Sequence, residues 1–145
     1  MNKAHAPVEY KGRIVGIAIL VGAQLLVGFV HGIFGFWLLI ATVTSSSAGL
    51  LSLSMTPVIY SVYTVVFSFS TLFFAYLLWM QKGMGWIGTF AVLLFVIAAD
   101  SLTLLDLPSV PGIPKFACYG EITYSVIIML YLMQAHVRKK YGIKF

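Results

Sequence analysis

The sequence predicts an all-α polytopic membrane protein, a bundle of four transmembrane helices with both termini in the cytoplasm. Three observations carry this. The stretch from Ile14 to Gln81 contains no Lys, Arg, Asp or Glu, whereas a domain in water needs polar cover on its exposed faces. Hydrophobic residues make up 61% of the 145 and charged residues 9%, against roughly a quarter charged in soluble domains. The positive charges also segregate to one side of the bundle these apolar runs define. A hydrocarbon core of about 30 Å takes about 20 apolar residues per helix. Four crossings and short loops therefore use residues 1–145 as a single membrane domain, with no soluble catalytic domain left over.

The polar stretch Met1 to Lys11 is too long for a signal-peptide head, and no A-x-A site follows it, so the first helix is expected to be retained. That helix is predicted over 13–43, long enough to tilt or to project beyond the lipid. Gly12/Gly16 and Gly28/Gly32 have G-x-x-x-G spacing, which lets helix backbones approach closely in lipid. Gly28 and Gly32 are expected against a neighbouring helix, in this chain or a second copy. Residues 42–57 form the first loop: Ser45, Ser46 and Ser47 end the helix, and Pro57 suits the first turn of the next. Leu50, Leu51, Leu53 and Met55 place this loop in the interface, with a re-entrant segment as an alternative.

The second helix is predicted over 57–80. Ser61, Thr64, Ser68, Thr71 and Ala75 recur at spacings of three and four, which puts them on one face. They read as a packing seam, or else as a polar conduit. Trp79 and Trp86 bracket a turn at Gln81-Lys82-Gly83, as expected of an interfacial aromatic belt. The third helix is predicted over 85–105. Pro108, Pro111 and Pro114 make 106–115 a stiff loop. The fourth helix is predicted over 116–136, followed by a basic tail over 137–145.

Four crossings put Lys3, Lys11, Arg13, Lys82, Arg138, Lys139, Lys140 and Lys144 on one side and Lys115 on the other. Positive charge stays in the cytoplasm, which sets the orientation and the expected location, the cell membrane. The net charge of +5 is then accounted for by lipid, and nucleic acid is not required. Arg138, Lys139, Lys140 and Lys144 are expected to face anionic headgroups, at about 1 kcal/mol per positive residue.

His31, Asp100 and Glu121 are the ionisable groups within the spans, where such residues are costly and mark function. At about 1.5 Å per residue they fall at similar depth on three helices. Cys118 and Glu121 share a face of the fourth helix, and Ser125 continues it. A histidine with two carboxylates can hold a cation or relay a proton; with Cys118 it can also be weighed as a metal set. The alternative is that the two acids reach the outer interface or act as packing glue. Paired-ligand motifs such as H-E-x-x-H or C-x-x-C are absent from the sequence, as is a glycine-rich phosphate loop. Nothing marks a partner for the Ser45–Ser47 run. The single cysteine, Cys118, allows no internal disulfide. No cofactor is evident.

The run Gly12-Arg13-Ile14-Val15-Gly16-Ile17-Ala18-Ile19-Leu20, with Gln24 and Gly28 behind it, carries a resemblance. So do Leu77-Leu78-Trp79 through Gly85-Trp86, and Tyr131-Leu132-Met133 to His136-Val137-Arg138-Lys139-Lys140-Tyr141-Gly142. Over most of its length the chain resembles a family of small four-helix prokaryotic membrane proteins, many of them archaeal. The resemblance implies a four-helix membrane fold and brings no assigned activity. The chain does not resemble small multidrug transporters, which place a glutamate in the first helix, nor glutathione-type membrane enzymes, whose paired charged motifs it lacks.

The packing seams and the shortage of reactive groups favour an accessory or structural subunit of a larger membrane complex, or a homo-oligomer, with no catalysis of its own. Its expected partners are the lipid bilayer and other membrane helices. A small ion or proton channel or transporter using His31, Asp100 and Glu121 is the alternative, and a membrane enzyme the third reading.

Overall fold

The computed structural model describes residues 15–45 and 55–144. Among these the chain is helical, without strands: α1 Val15–Thr44, α2 Met55–Trp79, α3 Gly83–Leu104, α4 Lys115–Leu132 and α5 Ala135–Lys140. The first three are long and apolar enough to cross a membrane, with mean hydropathies of 2.2, 1.8 and 2.1. The fourth has 18 residues and carries Lys115, Glu121, Tyr119, Tyr124 and Tyr131, which makes it more polar. Gly12, Lys3, Lys11, Arg13, Ser46, Ser47 and most of the 42–57 loop, including its re-entrant alternative, lie outside the described residues.

Consecutive helices pack on one another from α1 to α4. Glycine sets the closeness of the seams. A methyl at Gly28 would meet Leu72, at Gly32 it would meet Ser68, and at Gly35 it would meet Val65 and Thr64. This brings Ser68 Oγ within 2.7 Å of the Gly28 carbonyl, to which it donates. Between α2 and α3, Gly85 lies against the backbone of Leu77 and Leu78, and Gly88 lies against the Phe74 ring. α1 meets α4 where Gly16 underlies Tyr131.

On α2 the side-chain distribution reverses that of a helix in a water-soluble domain. Ser61, Thr64, Ser68, Thr71 and Ala75 are buried on α2, whereas Val62, Val66, Phe69 and Phe73 are exposed. Ile33 and Phe116 keep 72% and 82% of their surface uncovered. The interior is apolar mainly toward the two ends. At the end carrying Lys82 and α5, Leu20, Leu78, Trp86, Leu132, Val137 and Tyr141 form one cluster. At the opposite end Ala99, Ile113 and Cys118 pack with Tyr60 and Tyr63. Polar side chains lie between.

The helix boundaries at 55–79 and 83–104 are within two residues of the expected 57–80 and 85–105. The fourth helix departs from expectation. Instead of continuing to 136 it stops at Leu132, because Gln134 is extended (φ −60°, ψ 137°). The Met133 carbonyl accepts from Arg138 Nε at 2.9 Å. The expected basic tail is correspondingly not a plain tail: α5 folds under the bundle, and Val137 and Tyr141 enter the core at 0% and 5% exposure. Tyr141 donates its hydroxyl to the Leu78 carbonyl at 2.9 Å, and Trp86 Nε1 donates to the Leu132 carbonyl at 2.9 Å. Both bonds go to carbonyls in the last turn of a helix, where intrahelical donors run out; Leu78 O also accepts from Gln81 N–H.

Three helices share one ending. After α2, Lys82 N–H donates to Leu77 O and Gln81 N–H to Leu78 O. After α3, Leu107 and Asp106 donate likewise to Leu102 and Thr103, and after α5, Ile143 and Gly142 donate to Arg138 and Lys139. This is the Schellman arrangement, which requires a left-handed residue. Gln81 (φ 55°), Asp106 (φ 57°) and Gly142 (φ 70°) supply it. The loop that follows Asp106 is tied by its ion pair to Lys115 and by a 2.6 Å hydrogen bond between the Thr103 and Ser109 hydroxyls.

Candidate functional site

Three helices, α1, α3 and α4, place polar groups in the same part of the bundle. On α1, Gln24, Gly28 and His31 are spaced four and three apart, so they share a face. On α3, Thr89, Leu93, Val96 and Asp100 follow the same rule and are all buried. On α4, Cys118, Ser125 and Ile128 are buried, and Glu121 stands between Cys118 and Ser125.

His31 and Glu121 meet across α1 and α4, with Nε2 3.6 Å from Oε1. The other ring nitrogen, Nδ1, is 2.9 Å from the Val27 carbonyl. A carbonyl only accepts, so Nδ1 must carry a proton and donate it. Nε2 is therefore the ring nitrogen that faces the Glu121 carboxyl group. The Phe67 ring stands edge-on to His31 with centroids 5.0 Å apart and packs one side of the imidazole. The His31 and Glu121 side chains retain 26% and 27% exposure.

Asp100 is 0% exposed, and neither carboxyl oxygen has a hydrogen-bond partner among the described residues. Glu121, Cys118 and His31 are the groups within its electrostatic reach. Tyr60 and Tyr63 on α2 lie in the field of the same two acids. Cys118 is fully buried, and its thiol points to the Pro114 carbonyl at 3.5 Å. Among the described residues no three His, Cys, Asp or Glu side chains are grouped to hold a metal ion, so His31, Asp100, Glu121 and Cys118 form an ionisable cluster without a chelating geometry.

Gly28, Gly32, Thr64 and Ser68 lie in the α1–α2 seam. Ser61 and Thr64 donate back to the carbonyls of Pro57 and Tyr60. Thr71 has no such bond, and its hydroxyl is unpartnered. Lys139 and Lys144 are exposed at the α5 end, and Arg138 and Lys140 are half-buried there. Sequence reasoning missed Thr89 as an interior polar group and assigned Gln24 no role. The available signal was spacing: Thr89 is eleven residues, about three turns, before Asp100.

No protein-family model, curated protein or solved structure matches the chain.

Proposed function

We propose that the chain is a small four-helix membrane protein that binds and releases a proton within the bilayer, as a channel or transporter. In this reading α4 is the fourth crossing and both termini are cytoplasmic. The outward apolar and inward hydroxylated faces support a hydrocarbon surrounding. Lys82, Arg138, Lys139, Lys140 and Lys144 gather at one end and Lys115 at the other, which supports the orientation. The observation that carries the proton reading is the His31–Glu121 pair: Nδ1 is committed to Val27, which leaves Nε2 facing the carboxyl at 3.6 Å as the nitrogen free to take up or release a proton. Asp100 stands beside it as a second acceptor. Ionisable groups in a bilayer line ion pathways and proton relays.

Liposomes containing the protein and a pH-sensitive dye test this. Acidification driven by a potential should occur with the native chain and fall at least tenfold with Glu121→Gln or Asp100→Asn. Equal flux in both variants would refute the assignment. Nitrogen-15 shifts of His31 should show Nδ1 protonated throughout and Nε2 titrating.

A second reading, an accessory subunit of a membrane complex or a homo-oligomer, is favoured by the exposed apolar face of α1, with Val15, Ile19, Leu26, Ile33, Trp37 and Ile40. Co-purification of a stoichiometric partner in mild detergent supports it, and a lone monomer counts against it.

A further inference from the structure

We propose that the bundle holds one structural water molecule at its centre, bound by Gln24, Thr71, Thr89 and Tyr124. These residues line one small internal cavity, one from each of α1 to α4. The room for the centre of a water-sized sphere is about 10 Å³, and a water molecule needs roughly 10–15 Å³ by that measure. Gln24 Oε1, Thr71 Oγ1, Thr89 Oγ1 and Tyr124 Oη are all buried atoms without a hydrogen-bond partner among the described residues. Gln24, Thr71 and Thr89 are 3%, 5% and 1% exposed as residues. Phe67, Phe74, Val92 and Leu93 complete the walls.

The valences match. The Gln24 oxygen only accepts, so it takes one water hydrogen. Each of the three hydroxyls donates or accepts. Two donate to the water oxygen and the third accepts the second hydrogen, which gives four bonds to one water. Rotamer choice points the same way. Thr42, Thr44, Ser61, Thr64, Thr103 and Thr123 donate back to the carbonyl four residues earlier, the local partner a helix always offers. Thr71 and Thr89 forgo that bond and line the cavity instead. An unpaired buried hydroxyl is destabilising, so a partner inside the cavity accounts for this choice at both positions.

The site is independent of the proton reading and stands whether or not His31 and Glu121 conduct. Its test turns on sign. A hydroxyl facing nothing is improved by replacement with methyl, whereas a hydroxyl holding water is not. Thr71→Val and Thr89→Val, which keep the side-chain volume and remove only the hydroxyl, should each lower the melting temperature in detergent, by on the order of 3 °C. An unchanged or raised melting temperature in both valine variants overturns the proposal. A crystal structure at high resolution should show an ordered oxygen bonded to the four side chains, and featureless density there overturns it. So does an anomalous peak at the site after exchange into thallium, which would make it a cation site.

Discussion

Gly85 and Gly22 show what a single hydrogen atom in place of a side chain decides. A methyl at Gly85 would press on the backbone of Leu77 and Leu78, whereas at Gly22 it would meet nothing within 4 Å. Backbone cannot rotate aside as a side chain can, so Gly85→Ala should destabilise by about 3 kcal/mol. Gly22→Ala should be neutral or stabilise by up to about 1 kcal/mol through helix propensity. Thermal unfolding of both variants in one detergent checks the contrast. Tyr141 makes a second prediction at this scale. Burial pushes its phenol up to about 12 from an ordinary value near 10. The folded state then holds the proton more tightly than the unfolded chain. The stabilisation is complete below about pH 10 and is lost as pH rises toward 12. Urea titrations across that window should show native stability falling more steeply than that of Tyr141→Phe. His31, Asp100 and Glu121 were legible as suspects because ionisable groups are rare in apolar runs, and Cys118 because it shares a face with Glu121. The committed Nδ1 of His31 was not, since it depends on one rotamer.

At the scale of the element, the helix endings are the most open to manipulation. Gln81 occupies the left-handed position of a Schellman ending that Gly142 fills after α5. A side chain there costs roughly 1 kcal/mol, so Gln81→Gly should raise stability by about 0.5–1 kcal/mol, measured as a shift in melting temperature. α1, α2 and α3 were readable because long uncharged runs leave little choice of structure, and the serine and threonine period of α2 named its buried face. The end of α4 was not readable. No proline or glycine stands between Leu132 and Ala135, and the chain turns there because Val137 and Tyr141 gain burial beneath the bundle. That tertiary contact leaves no mark in the local sequence. The turn at Gln81-Lys82-Gly83 was readable, but the positive φ at Gln81 was not, since glutamine does not advertise it as glycine does.

For the molecule as a whole, the proposed orientation is separable from the proposed chemistry. Cys118 is fully buried and leaves a quiet background for labelling. A cysteine at Leu107, which is 49% exposed, should react with an impermeant maleimide from outside intact cells. A cysteine at the exposed Lys144 should react only after the membrane is opened, and the reverse pattern would invert the topology. Simple counting put His31, Asp100 and Glu121 at similar depth on three helices, and His31 and Glu121 meet in the structure at 3.6 Å. The central cavity escaped such counting, because it depends on how far each side chain reaches.

The floor formed by Leu78, Trp86, Leu132 and Tyr141 has a consequence for any traffic through the bundle. Under the proposed proton function it would close the Lys82 end of the bundle, so that a proton held at His31 and Glu121 could leave toward that end only if the floor parted. Net passage would then require α5 to swing away as a trapdoor, with the Tyr141–Leu78 bond as its bolt.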